Sequence, residues 1–130
     1  SFASYATVLT ELTDTPIVST GGFRTRKEME NVISSGVSMI GLARPFVLYP
    51  DLVRRFENND NFDIKTPRLS TKIQKLDKAL GPIIGVSFYE AQMKRLANNK
   101  LTKPITNAWP YLMSTIKTHG LSALKPRRTR

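Results

Sequence analysis

The sequence predicts an α/β unit built on two parallel strands over residues 1–60, followed by an all-helical basic extension over residues 61–130. Three observations carry this reading. Short β-rich runs at Ile17-Val18-Ser19-Thr20 and Val37-Ser38-Met39-Ile40-Gly41-Leu42 flank a helical stretch with short loops, and a strand–helix–strand crossover of that kind joins parallel neighbours. Beyond residue 60 the apolar residues recur only at helical spacing. Charge divides at the same place: residues 1–60 hold six Lys and Arg against seven Asp and Glu, a balance of −1, whereas residues 61–130 hold fourteen against three, a balance of +11.

Taken in order, Phe2, Tyr5, Ala6, Leu9 and Leu12 follow helical spacing and predict an amphipathic helix. Asp14-Thr15-Pro16 breaks it, since proline disfavours helix at the preceding residue. Residues 17–20 then read as a buried strand closed by the Gly21-Gly22 turn. Thr25-Arg26-Lys27-Glu28 is a capping box, in which hydroxyl and carboxylate each satisfy a free backbone N–H. The helix behind it places Met29, Val32 and Ile33 on a core face and ends at Gly36, a left-handed cap. Residues 37–42 form the second strand. Pro45 suits the first turn of a short helix, and Asp51 is the expected N-cap of another, from Leu52 to about Asn58. Residues 60–70 read as a linker. In the extension, Ile73, Leu76 and Leu80 predict a short helix before Gly81-Pro82. Val86, Tyr89, Met93 and Leu96 give the apolar stripe of a longer one through about Asn98. Trp109, Leu112, Met113 and Ile116 mark a third.

Composition narrows the function. A chain of 130 residues is one domain or part of one, and a hydrophobic fraction of 40% argues against global disorder. No apolar run is long enough to span a bilayer and no basic-then-hydrophobic leader opens the chain, so a soluble cytoplasmic protein with no membrane partner is the expectation. The absence of cysteine excludes disulfides, thiolate metal sites and a cysteine nucleophile. The single histidine, His119, lacks partner ligands in the sequence and reads as a surface or helix-end residue. No metal site is expected.

Chemistry concentrates at the two strand-to-loop junctions, Thr20-Gly21-Gly22-Phe23-Arg24 and Gly41-Leu42-Ala43-Arg44-Pro45. Glycines without a Cβ let a phosphate approach the N–H groups of Gly22 and Phe23. The short helix opening at Pro45 offers an N-terminus, and the Arg44 guanidinium matches two phosphate oxygens. Consecutive parallel strands put both junctions on one sheet edge. Each part has a plainer reading: Gly-Gly as a turn, Arg44 as a surface ion pair. Their joint spacing is what points to an anion.

The segments 15–24, 37–46 and Pro50-Asp51-Leu52 resemble the last two βα units of NADH:flavin oxidoreductases of the old yellow enzyme family. The resemblance implies a partial TIM barrel over residues 1–60, with its last two βα units present, and FMN as cofactor. It implies that Gly21, Gly22, Phe23, Ala43 and Arg44 hold the FMN phosphate. The family often has glycine where Ala43 stands, and a methyl there narrows the available φ and ψ. Ser87-Phe88-Tyr89-Glu90-Ala91-Gln92 and Lys94-Arg95-Leu96-Ala97 are similar, more loosely, to the helical tail of bacterial members. In some relatives a tail aromatic approaches the flavin, whereas helix packing is the expectation for Phe88 and Tyr89. The parent enzyme implied is an FMN-dependent oxidoreductase that takes hydride from NADH or NADPH and passes it to an activated alkene or similar small-molecule acceptor. Such a barrel needs about 250 residues, and the family's catalytic residues map onto none here. The 130 residues alone are expected to be inactive, and to cover their apolar strand face with the helical tail or to self-associate.

Two rivals remain. A basic binding module would use residues 61–130, with the tail Lys125-Pro126-Arg127-Arg128-Thr129-Arg130, on nucleic acid or another anionic partner. No recognised nucleic-acid motif is present and lysines on amphipathic helices usually form a wet face, so nucleic acid is not the expected partner. The other rival is a non-catalytic barrel remnant with intact phosphate loops.

Overall fold

The computed structural model describes residues 2–124, with the side chains of 2–4 and 123–124 left aside. The basic tail at 125–130 and the Phe2 side chain thus lie outside the described residues. The chain divides between Thr66 and Pro67 into two compact units.

The first unit runs α1 (Phe2–Leu12), β1 (Val18–Thr20), α2 (Arg26–Ser34), β2 (Met39–Gly41), α3 (Arg44–Leu48) and α4 (Leu52–Asn58). The strands pair in parallel, with Val18 opposite Met39 and Thr20 opposite Gly41. This sheet corrects the expected fold class. Among the described residues there are six α-helices and only these two three-residue strands, so the chain is mostly helical and forms no partial TIM barrel. The runs expected as strands of four and six residues shorten because each strand has a single neighbour and the paired stretch is short. Two left-handed glycines end β1, and α3 begins three residues after β2. Nor is β1 a buried strand: Val18 is 52% exposed and only Ser19 turns inward, while Met39, opposite Val18 in β2, is 61% exposed.

The capping box forms as read. Thr25 Oγ1 accepts from the Glu28 amide, and Glu28 Oε2 accepts from the amides of Thr25 and Arg24. Gly36, at φ 98°, closes α2. The expected core face of α2 is not buried. Met29 and Ile33 instead wall an apolar hollow of about 460 Å³ with Phe46, Leu52, Val53 and Phe56. On α1, Ala6 is buried while Tyr5, Leu9 and Leu12 stay exposed. Asp51 is the N-cap residue of α4, as expected, but its side chain makes no capping hydrogen bond; its carboxylate accepts from Arg55 Nε at 2.8 Å, and this hydrogen bond holds its pKa below the usual carboxylate range.

The stretch expected as a linker folds back in its first half. Ile64 is buried, its amide donates to the Arg24 carbonyl at 2.8 Å, and Asp63 bridges Thr25. Phe62 meets Tyr49 and Phe56 edge-on at 5.5 and 5.6 Å, and the Tyr49 hydroxyl donates to the Lys65 carbonyl. This return anchors Arg24 from behind.

The second unit is a helix pair, α5 (Gln74–Ala97) and α6 (Trp109–His119), with a 3-10 turn at Leu121–Leu124. α5 runs unbroken through Gly81-Pro82, where the sequence predicts two helices. An internal proline costs about 3 kcal/mol. Leu80, Ile84 and Phe88 are buried on one continuous face across it, and each buried apolar side chain returns about 1.5–3 kcal/mol, so burial wins. The buried face also differs from the expected stripe: Val86 and Met93 are exposed, and Leu80, Ile84, Phe88 and Gln92 are buried. On α6 the buried residues are Tyr111, Leu112 and Thr115, whereas Trp109 and Met113 are exposed. Phe88 meets Tyr111 edge-on at 5.2 Å, and the Ser87 and Thr115 hydroxyls share a 2.5 Å hydrogen bond. Asn99, left-handed at φ 54°, ends α5, its amide donating to the Leu96 carbonyl and that of Lys100 to Arg95. His119 is the exposed last residue of α6.

Candidate functional site

The loops after β1 and β2 enclose a cleft of about 440 Å³ lined by residues 20–24 and 41–45. All five residues expected at an anion site, Gly21, Gly22, Phe23, Ala43 and Arg44, line it. They reach it because parallel pairing puts Thr20 beside Gly41, so both chains leave the sheet at the same edge.

Gly21 and Gly22 have φ 84° and 86°, a left-handed pair that only glycine adopts without strain. A Cβ at either would meet nothing within 4 Å. The space above this backbone is therefore open, and the conformation alone demands glycine. Gly21 still donates to the Gly41 carbonyl at 3.4 Å, extending the ladder by one residue. Among the described residues the amides of Gly22 and Phe23 have no protein acceptor. The Phe23 side chain is 6% exposed, so this residue offers the cleft its backbone and gives its ring to the core.

Across the cleft, Ala43 has φ −107°, in the region open to any L-residue, so the methyl that departs from the family's glycine is unstrained. Arg44 begins α3, which has five residues with Pro45 second. One turn carries little macrodipole, and the guanidinium supplies the positive charge here. Arg44 is exposed and Arg24 half-buried. Among the described residues neither joins an ion pair, and no carboxylate lines the cleft. Arg24 is the residue the sequence-based set of five omits. Its position two beyond Gly22 is the signal that could have included it.

Glu28, outside the cleft lining, braces the first loop. Its carboxylate holds the Arg24 amide at 2.7 Å and the Thr25 amide at 3.1 Å. The Gly-Gly loop is thereby pinned by β1 on one side and by the start of α2 on the other. The arrangement suits a compact anion: unused N–H groups on one wall and two guanidinium groups of the right sign.

Among the described residues no group of His, Cys, Asp and Glu is placed to hold a metal ion, and no helix is long and apolar enough to cross a membrane. No protein-family model, curated protein or solved structure matches the chain.

Proposed function

We propose that the cleft cradles the phosphate of FMN, and that the chain is the C-terminal piece of an FMN-dependent NAD(P)H oxidoreductase of the old yellow enzyme type, to which it contributes the phosphate-binding loops. The observation that carries the reading is the cleft itself. Two loops some twenty residues apart supply its entire lining, with open glycine backbone, two arginines that join no ion pair among the described residues, and no acid. Gly22 and Phe23 donate backbone hydrogen bonds to the phosphate, Ala43 keeps the opposite wall low, and Arg44 and Arg24 neutralise its charge. Bound there, the flavin would supply the redox chemistry, hydride transfer from NADH or NADPH to an activated small-molecule acceptor. The residues that would orient ring and substrate belong to the parent enzyme.

Comparing FMN with riboflavin, which lacks the phosphate, tests the reading. Hydrogen bonds to charged groups contribute about 1.5–3 kcal/mol, so Arg44→Ala weakens FMN by about tenfold or more and leaves riboflavin unchanged. Equal loss of both ligands, or FMN binding no tighter than riboflavin to the native chain, sinks the proposal.

A further inference from the structure

Among the described residues the second unit holds its charge without an ion pair. Residues 67–130 hold thirteen Lys and Arg against two Asp and Glu, and among the described residues all four ion pairs lie in the first unit. One of the two acids is turned inward. Asp77 accepts from Ser70 Oγ at 2.6 Å, and from the Thr71 amide and hydroxyl at 2.7 and 2.6 Å.

A solvated lysine face accounts for scattered charge, yet some of these cations lie on the segment to which a fixed aromatic is bonded. The Ser70 amide donates to the Thr106 carbonyl at 2.9 Å and the Ala108 amide to the Ser70 carbonyl at 3.0 Å. These bonds fasten the segment before α5 to the start of α6. Trp109 Nε1 donates to the Thr71 carbonyl at 3.0 Å, which fixes the indole next to Lys72 in the chain. The indole is 41% exposed. Lys72 is itself held, left-handed at φ 65° with its amide on Ser70 Oγ. Arg68, Lys72 and Lys75 are exposed on this segment, and Lys103 on the facing one.

Trp109 has spent its only polar atom inside the protein. A ligand meeting it finds an apolar aromatic ring, and a ligand of the cations on the neighbouring segment is an anion. Unpaired nucleobases on a phosphate backbone combine the two. A duplex hides its base faces, and polyphosphate has none. We propose that this junction binds single-stranded nucleic acid, with a base stacked on Trp109 and phosphates on Arg68, Lys72 and Lys75.

Trp109 is the only tryptophan, so intrinsic fluorescence reads the site directly. Titrating the chain with a short oligouridylate at low salt is expected to quench the indole. The affinity falls with salt along a log–log slope of about −2 for three phosphate contacts. Measured by anisotropy of a labelled oligonucleotide, the exposed triple variant R68A/K72A/K75A loses at least about tenfold in affinity and flattens that slope. Trp109→Phe, which keeps an aromatic plane, binds more tightly than Trp109→Leu, which loses about 5- to 100-fold. Circular dichroism shows that each variant is folded, and the triple variant carries the test should a Trp109 variant unfold. Three outcomes overturn the proposal: inorganic polyphosphate binding as tightly as the oligonucleotide, anionic phosphatidylserine vesicles quenching the indole where the oligonucleotide does not, or the triple variant binding like the native chain.

Discussion

Thr20 and Gly41 stand side by side in the parallel ladder so closely that a Cβ on Gly41 would lie 2.5 Å from Thr20 Cγ2. The glycine is a packing requirement here, since no left-handed φ is involved. Gly41→Ala is therefore expected to destabilise the first unit by about 1–3 kcal/mol, the usual cost of overpacking. Thr20→Ala in the same chain removes the clashing methyl and recovers most of the loss. Urea unfolding of the two single variants and the double variant checks it, and simple additivity would disprove the contact.

One residue earlier in β1, Ser19 is 3% exposed, and among the described residues its Oγ has no hydrogen-bond partner. A buried hydroxyl left unsatisfied costs about 1–3 kcal/mol. Ser19→Ala is expected to raise the stability of the first unit by about 1 kcal/mol. A fall in the urea midpoint would mean that the hydroxyl has a partner.

Glu28 links the helix cap to the cleft, because one carboxylate oxygen takes both the Arg24 and the Thr25 amides. Glu28→Ala is expected to cost about 1 kcal/mol of stability and to weaken FMN by loosening the loop behind Phe23. Glu28→Gln, which still offers a carbonyl oxygen, restores most of both. If Glu28→Ala instead bound FMN more tightly, the carboxylate would be acting through its negative charge.

Asp77 ties the loop before α5 to the helix, and the hydrogen bonds from Ser70 and then Thr71 hold its pKa below the ordinary value. A carboxyl whose folded pKa is depressed stabilises the protein above its unfolded pKa of about 3.9. That contribution is lost as pH falls through the folded value. The second unit is expected to lose stability on acidification below about pH 4, and Asp77→Asn to flatten this dependence while lowering stability at neutral pH. Thermal melts from acid to neutral pH read it, and Trp109 fluorescence follows the same loop through its bond to Thr71.

Local chemistry was the legible part of this chain. Thr25 and Glu28 announce a capping box by spacing alone, and Gly36 ends the helix they begin, because both act within a few residues. The five cleft residues were legible for a similar reason: glycines and arginine at two strand ends need only the strands to be parallel neighbours. Packing was much less legible. Val86 and Met93 share helical spacing with Tyr89 and Leu96 and yet face solvent, while the buried face runs through Leu80, Ile84, Phe88 and Gln92, since periodicity does not say which face meets a partner. Pro82 reads as a helix end, and the burial of Leu80, Ile84 and Phe88 overrides it. The α/β partial-barrel reading failed at the same level, because run length and β-propensity do not say how many residues find a ladder partner.

The sequence by itself determined the two glycine–arginine loops, the start and stop of α2 and the division of charge between the halves. These are properties of composition and of neighbours a few residues apart. Only the tertiary structure decided that the chain is mostly helical with a two-stranded sheet, that both loops line one cleft, and that Asp77 and Trp109 lock the same junction. Apart from the local Asp77 bonds, those relations join residues from about twenty to forty positions apart in the chain, and which contact forms depends on burial summed over whole elements.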